Sequence, residues 1–451
     1  MKVKFILINA IDVMEKLQSS LPPLGLGYLV SSLRSKFGND LINCKIIDRD
    51  IEKEILSFEP DIIGITCVSQ NYNLAIKYAK IAKKYKLPVL IGGTHISVLP
   101  TTLTRDMDIG VIGEGEETIK ELFSIFLKGK KLNKKNLNKL KGLAFWDGNK
   151  LIQTEARAPI LPMDSISIPA RDLMKIEQCT HVFSSRGCPY RCVFCASSRF
   201  WNKTRFFSAE YVVNEIEYLS KNFGVKEINF WDDLFIVSKE RIKQIVHLLS
   251  KKKLLGKIIF SCAVRSNLID KNMVKLLKKM NVKNVSMGLE SGTPRVLEYL
   301  KGNTIKINDH IRAIKLFKKY GIEASASFII GSPTETRQEI LQTFEFIRNS
   351  GLRGFNIYIL TPIPGTPMWE YAKKRGMVSE NMDWDLLNID FLLNHQKAIV
   401  LSETLTKEEL YKLLLMFKTE QKRKHIVDIF KHPIKIPRHM LRFLKYEIFK
   451  N

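Results

Sequence analysis

Apolar runs of strand length alternate with amphipathic stretches of helix length twice along this chain, and that alternation leaves few folds open. Over residues 1–130 the runs 2–8, 44–48, 61–66, 88–91 and 108–112 lack the period-2 polarity of half-solvated strands. They predict parallel strands covered on both faces. Between them, 24–33, 72–84 and 116–126 repeat apolar residues at helical spacing. Strand and helix in turn predict a doubly wound α/β sheet, whose ligands sit beyond the carboxyl ends of the strands. Those ends carry Asn9, Ser69-Gln70, Gly92-Gly93-Thr94-His95 and Gly113-Glu114-Gly115-Glu116.

A second series begins near residue 181. Strands are predicted at 181–185, 227–230, 258–264, 284–288, 322–330 and 355–360, with helices at 209–219, 241–249, 271–280, 305–319 and 337–348. Six βα units in a row predict a partial parallel barrel with its chemistry at the strands' carboxyl ends. Between the series, 127–180 is rich in Lys and Asn and then in Pro, with a hairpin at Asp147-Gly148-Asn149. It predicts an inter-domain linker carrying a small strand pair. After Trp384 the alternation stops, and 401–449 predicts helices broken near Pro433 and Pro437. The expected domains are 1–130, a linker at 131–178, a barrel at 179–375 and a basic, mainly helical segment at 376–451.

With 45% hydrophobic and 26% charged residues, the chain is no collagen, disordered tract or small disulfide scaffold. No apolar run approaches the roughly 20 residues of a membrane span, and no signal-peptide cleavage site follows the first strand, so a cytoplasmic location is expected. The net charge of +26 attracts polyanions, but no Arg-rich arm or aromatic-lined groove accompanies it, so nucleic acid is not an expected partner. From Lys418 to Asn451, 10 basic and 3 acidic residues give +7, with Leu441, Leu444 and Ile448 at helical spacing. That pattern allows peripheral membrane contact through a basic tail; the plainer reading is a helix packed on the barrel.

Three of the seven cysteines fall in one stretch, Arg186-Gly187-Cys188-Pro189-Tyr190-Arg191-Cys192-Val193-Phe194-Cys195, spaced C-x3-C-x2-C after the first barrel strand. Structural zinc usually takes four ligands in separated pairs. Three thiolates on one tight loop suit a 4Fe–4S cluster with one iron left open. Cys44, Cys67, Cys179 and Cys262 are scattered and read as structural.

On this loop the chain resembles the radical SAM superfamily. The resemblance implies that Cys188, Cys192 and Cys195 hold the cluster, whose open iron binds S-adenosylmethionine (SAM) and whose electron releases a 5′-deoxyadenosyl radical. It also implies a partial six-unit barrel and SAM contacts from Phe194, Asp232, Asp233, Glu290, Ser291, Gly331 and Pro333, all in the cysteine loop or at strand ends. An external electron donor such as ferredoxin or flavodoxin is implied too. The N-terminal sheet, with its 22–29, 91–95 and 113–118 segments, resembles the flavodoxin-like domain of the cobalamin-binding subgroup. It assigns cobalamin to Ser69, Gln70, Gly92, Gly93, Thr94, His95, Gly113, Glu114 and Gly115. The D-x-H-x-x-G motif whose His ligates cobalt in one cobalamin-binding class is absent, and His95 is a candidate corrin neighbour only.

The implied activity is methylation of an unactivated carbon on a small-molecule or lipid-like substrate. The alternative is a cobalamin-type radical SAM cyclase or rearrangement enzyme without methyl transfer. A tRNA methylthiotransferase is disfavoured, because that type resembles neither an N-terminal domain with only Cys44 and Cys67 nor a helical tail.

Overall fold

Where strands are covered by helices on both faces, the apolar residues must pack in two layers, and the computed structural model, describing residues 2–12, 21–129, 131–388 and 397–431, shows how. The chain forms two compact units, Met1–Phe260 with Thr361–Asn388, and Ser261–Leu360 with Ile389–Asn451.

In the first unit, β1 (Val3–Asn9), α1 (Leu24–Leu41), β2 (Ile42–Ile47), α2 (Ile51–Phe58), β3 (Ile62–Thr66), α3 (Tyr72–Lys84), β4 (Val89–Gly92), β5 (Ile109–Val111) and α4 (Gly115–Gly129) alternate, α2 being a helix the periodicity did not predict. The first five strands are parallel in the order β2-β1-β3-β4-β5, a flavodoxin-like arrangement whose chain reverses direction of winding between β1 and β3. Phe5, Leu7, Leu26, Val30, Leu33, Leu90, Leu122 and Phe123 fill its core, with Phe5 and Phe123 rings 4.9 Å apart.

The anticipated hairpin forms, but it is part of the sheet. β6 (Leu143–Asp147) and β7 (Lys150–Gln153) add antiparallel to β5, and Arg105 closes over the turn through the Gly148 carbonyl at 2.6 Å. The residues beyond it are seated on α1: Ser31 Oγ donates to the Ile168 carbonyl, and Ala170 N–H to that of Gly27. At Gly27 a Cβ would stand 2.0 Å from Met174 Cε. What the composition predicts as a linker is thus docked structure, because Pro169 and Met174 are apolar and need a surface.

The same unit holds β8 (Cys179–Val182), β9 (Ser185–Arg186), β10 (Arg205–Phe206), α5 (Ala209–Phe223), β11 (Glu227–Phe230) and α6 (Lys239–Lys251). β8 and β11 pair in parallel, Asn229 opposite His181. Ser208 and Ser238 cap α5 and α6 by accepting from the Tyr211 and Arg241 N–H groups. β12 (Ile259–Val264) leads into the second unit.

There, α7 (Lys271–Lys279), β13 (Val282–Glu290), α8 (Pro294–Lys301), α9 (Ile307–Tyr320), β14 (Glu323–Ile330), α10 (Arg337–Asn349) and β15 (Gly354–Ile359) follow, and β13, β14 and β15 are parallel neighbours. One face of these strands is apolar and buried: Met287, Leu289, Ala326, Phe328, Phe355 and Ile357. The opposite face carries Ser286, Ser325, Ser327 and Asn356, of which Ser286, Ser325 and Asn356 are exposed. Helix α11 (Pro367–Lys374) belongs to the first unit and α12 (Lys407–Lys431) to the second. The start of α12 packs as a core helix, with Leu410, Leu414 and Phe417 buried and the Phe417 ring 5.2 Å from Phe344. Residues 441–448 of the basic tail lie outside the described residues.

Candidate functional site

A cavity opens at the carboxyl ends of β1, β3, β4 and β5, where the winding of the sheet changes direction. Its floor is apolar, made by Leu7, Leu26, Leu29, Ile65, Ile91 and Ile119. Glycines recur along its lining. Gly25, Gly92, Gly93, Gly113 and Gly115 all line it, with Glu114, Glu116, Arg186 and Trp201 at the polar side. At Gly25 an added Cβ would meet nothing within 4 Å, so packing does not explain its bare wall. Gly93 is different. With φ of 98° its Cβ would stand 2.5 Å from the Cys67 carbonyl oxygen, so glycine there serves the strand end itself.

Of the residues assigned to cobalamin from sequence, Gly92, Gly93, Gly113, Glu114 and Gly115 line this cavity, while Ser69, Gln70, Thr94 and His95 do not. His95 is buried, its Nδ1 3.0 Å from Ser69 Oγ and its Nε2 3.0 Å from Thr102 Oγ1. Its ring stacks on Tyr72 at 3.8 Å and meets the edge of Trp384 at 4.5 Å. Burial pushes its pKa down to about 3, so it is a neutral core histidine with both nitrogens engaged. It corrects the expectation of a corrin neighbour.

Glu114, expected beside cobalamin, and Glu116 are both paired with arginine. Arg186, at the end of β9, reaches Glu114 Oε1 at 2.5 Å with one terminal nitrogen and Glu116 with the other. Arg205, opposite Arg186 in the β9–β10 ladder, forks onto both oxygens of Glu114 at 2.8 and 3.0 Å. The Ile160 N–H completes the shell at 2.8 Å. Burial works against the charge of Glu114, but the two arginines and the amide outweigh it and hold its carboxyl below the ordinary range. The Arg186 guanidinium lies 5.2 Å from the Tyr28 ring centroid and 5.3 Å from that of Trp201. Motif reading missed this network, since Arg186 and Glu114 are 72 residues apart. Its trace in the sequence is a pair of acids at one strand end and two arginines bracketing the cysteine loop.

The loop begins one residue on. Gly187 has φ of 90°, and a Cβ there would stand 2.8 Å from the Lys203 carbonyl oxygen, so only glycine turns the chain here. Its N–H donates to Asp233 Oδ2 at 3.1 Å. Cys188, Cys192 and Cys195 follow with no disulfide among them, the last folded back through its N–H to the Cys192 carbonyl at 3.3 Å. Burial pushes the Cys195 thiol up to about 11. Among the described residues no three His, Cys, Asp or Glu side chains close on a single ion. Three thiols on one loop are the donor set that would hold a 4Fe–4S cluster.

The residues assigned to SAM divide by role. Phe194 sits between the second and third thiols, half-buried. Asp232 is buried and committed to the fold: its Oδ1 accepts from the Ser184 N–H at 2.6 Å and the Ser185 N–H at 3.1 Å, which corrects its assignment to a ligand. Asp233 braces the loop through Gly187. In the second unit, Glu290 ends β13 with φ of 67° and pairs with Lys301 Nζ at 3.2 Å, and Ser291 is buried among Thr293 and Thr343 hydroxyls. Gly331 and Pro333 form the turn after β14. Glu335, which the sequence reading passed over, holds that turn: its Oε2 accepts from the Gly331 N–H at 2.8 Å and the Ser332 N–H at 3.1 Å. Its other oxygen is buried without a partner. An acid four residues after a strand-end glycine was the available signal.

Comparison with known proteins finds two families along the chain. Residues 182–347 match the Radical SAM superfamily, and residues 11–123 match the B12 binding domain. The chain is 36% identical over 379 residues to the uncharacterized methyltransferase PH0819 of Pyrococcus horikoshii, covering 80% of this chain and 81% of that one. It is 26% identical over 391 residues to the anaerobic magnesium-protoporphyrin IX monomethyl ester cyclase of Rubrivivax gelatinosus, with 82% and 70% covered. Among solved structures, the radical SAM methyltransferase TsrM of Kitasatospora setae, with cobalamin and a 4Fe–4S cluster bound, superposes with a TM-score of 0.68 at 17% identity. That match covers 83% of this chain and 75% of that one, and it shows a shared fold.

Proposed function

Since this chain belongs to the radical SAM superfamily, in the branch with an N-terminal B12 binding domain, we propose that it methylates an unactivated carbon of a small, water-soluble substrate. It is an enzyme whose cofactors are a 4Fe–4S cluster, SAM and cobalamin. When bound, the cluster and SAM supply a 5′-deoxyadenosyl radical from the one-electron cleavage of a sulfonium, and cobalamin supplies the methyl carrier. The observation that carries the reading is that the glycine-walled cavity and the three-thiol loop share Arg186, which lines the one and leads into the other.

The chain's own work is then to hold and orient. Cys188, Cys192 and Cys195 fix the cluster, and Asp233 pins the loop by its bond to Gly187. Gly25, Gly92, Gly113 and Gly115 keep the cobalamin cavity open to a flat ring system. Glu290, Ser291, Gly331 and Pro333 are placed at strand ends, where a carboxylate and bare backbone suit ribose hydroxyls and a planar base. The serine-lined face of β13 to β15 supports a hydrogen-bonding substrate over an acyl chain. An external one-electron donor completes the system. Among the described residues no helix is long and apolar enough to cross a membrane.

The test is anaerobic purification with cobalamin supplied, then incubation with SAM carrying a deuterated methyl group and mass spectrometry of cell-extract metabolites. Label in one product together with 5′-deoxyadenosine is expected. The similarity to the cyclase favours the second reading: an unlabelled product changed in mass by loss of hydrogen would replace methyl transfer by oxidative cyclisation.

A further inference from the structure

Arg186 belongs to two structures at once. It lines the cavity, and its guanidinium is shared between Glu114, just before α4, and Glu116 in its first turn. Its backbone stands two residues before Cys188. Side chains of Arg186, Arg205, Glu114 and Glu116 are 8, 6, 7 and 7% exposed, so two positive and two negative charges cancel away from water. Such a set has one good arrangement, because a displaced charge is left without solvent to replace its partner. The connection to the thiols is short and stiff. Gly187 has no room for a side chain, its N–H is held by Asp233, and Arg186 itself is tied into the β9–β10 ladder.

A group that enters the cavity meets Arg186, Glu114 and Glu116 directly, and a cluster that forms on the loop fixes the backbone next to Arg186. We infer that Arg186 is a positioning residue that couples occupancy of the cavity to assembly of the cluster, so that each cofactor favours the other. The inference rests on the cofactor assignments above. It follows that the protein with its cluster binds cobalamin more tightly than the same chain without it, and by reciprocity cobalamin protects the cluster by the same factor.

The test uses the full chain before and after anaerobic cluster reconstitution, dialysed to equilibrium against hydroxocobalamin. We expect the dissociation constant to fall by roughly fivefold or more on reconstitution of the wild type. In Arg186→Lys, which keeps the charge but cannot bridge two carboxylates, the ratio of the two constants should collapse to about one. Arg205→Lys loosens the same carboxylate from β10, away from the start of the loop, and should weaken binding in both forms while keeping the ratio. A merely structural role predicts that the two variants behave alike. If Arg186→Lys does not accumulate as folded protein, Glu116→Gln removes one arm of the bridge without leaving a bare charge, and its ratio should fall toward one. A wild-type ratio of one overturns the coupling alone, as does an unchanged ratio in Arg186→Lys. Failure of either form to retain hydroxocobalamin overturns the cobalamin assignment and the coupling with it.

Discussion

Replacing Glu335 by Gln should change how the stability of the second unit depends on pH, and the structure gives the sign. Glu335 is 1% exposed, and burial raises its pKa from the ordinary 4.5 to about 7, against the pull of the Ser332 and Gly331 N–H groups. A carboxyl whose pKa is higher folded than unfolded binds its proton more tightly in the native state. Its contribution is therefore fully present below about pH 4.5, falls as pH rises, and is gone above about pH 7. At 1.36 kcal/mol per unit, a shift of this size amounts to roughly 3 kcal/mol. Gln keeps an acceptor for the two amides and does not titrate, so Glu335→Gln should lose little at pH 5 and gain on the wild type by about 3 kcal/mol between pH 5 and 8. Glu335→Ala, which strands both amides, should cost about 2 kcal/mol or more at every pH. Urea unfolding followed by circular dichroism at pH 5, 6, 7 and 8 measures each. A Gln-minus-wild-type difference that stays flat within about 1 kcal/mol would refute the argument that burial dominates this carboxyl.

Cys192→Ala should abolish 5′-deoxyadenosine formation from SAM, whereas Ser at Cys44, Cys67, Cys179 or Cys262 should leave iron near about four per chain by ferrozine assay. Gly25→Phe fills open space on the cavity wall without backbone strain and should reduce cobalamin retained on gel filtration while leaving the cluster's absorbance intact. Arg171 and Glu215 are both fully buried and paired at 2.5 Å. Arg171→Met should destabilise by about 3–5 kcal/mol, and adding Glu215→Leu should recover most of that in thermal unfolding, since the stranded charge is then gone.

Local pattern carried much of this fold into the sequence. Helix Tyr72–Lys84 and strand Glu227–Phe230 have the ends that periodicity gives them, because their apolar residues face covered surfaces on every turn or pleat. The cysteine loop was legible for the same reason: three ligands of one group must lie close in sequence when one turn carries them. What could not be read depended on partners far along the chain. The Arg186 bridge spans 72 residues, the docking of Met174 on Gly27 spans 147, and neither leaves a periodic mark. His95 misled because a histidine after a Gly-Gly turn has the same spacing whether it faces a ligand or Tyr72. The boundary near residue 260 falls inside a strand series that alternates without a break, since alternation reports covering of strands and not which contacts are densest.

The two faces of β13, β14 and β15 answer to different pressures. Met287, Phe328 and Ile357 pack these strands from one side, so the exposed Ser286 on the other contributes little to holding them. Exchanges at such solvated positions usually shift stability by no more than about 0.5 kcal/mol. A hydroxyl can therefore be traded for an amide or a methyl at Ser286 at little cost to folding, whereas a charge removed outright from the quartet around Glu114 leaves its partner stranded away from water.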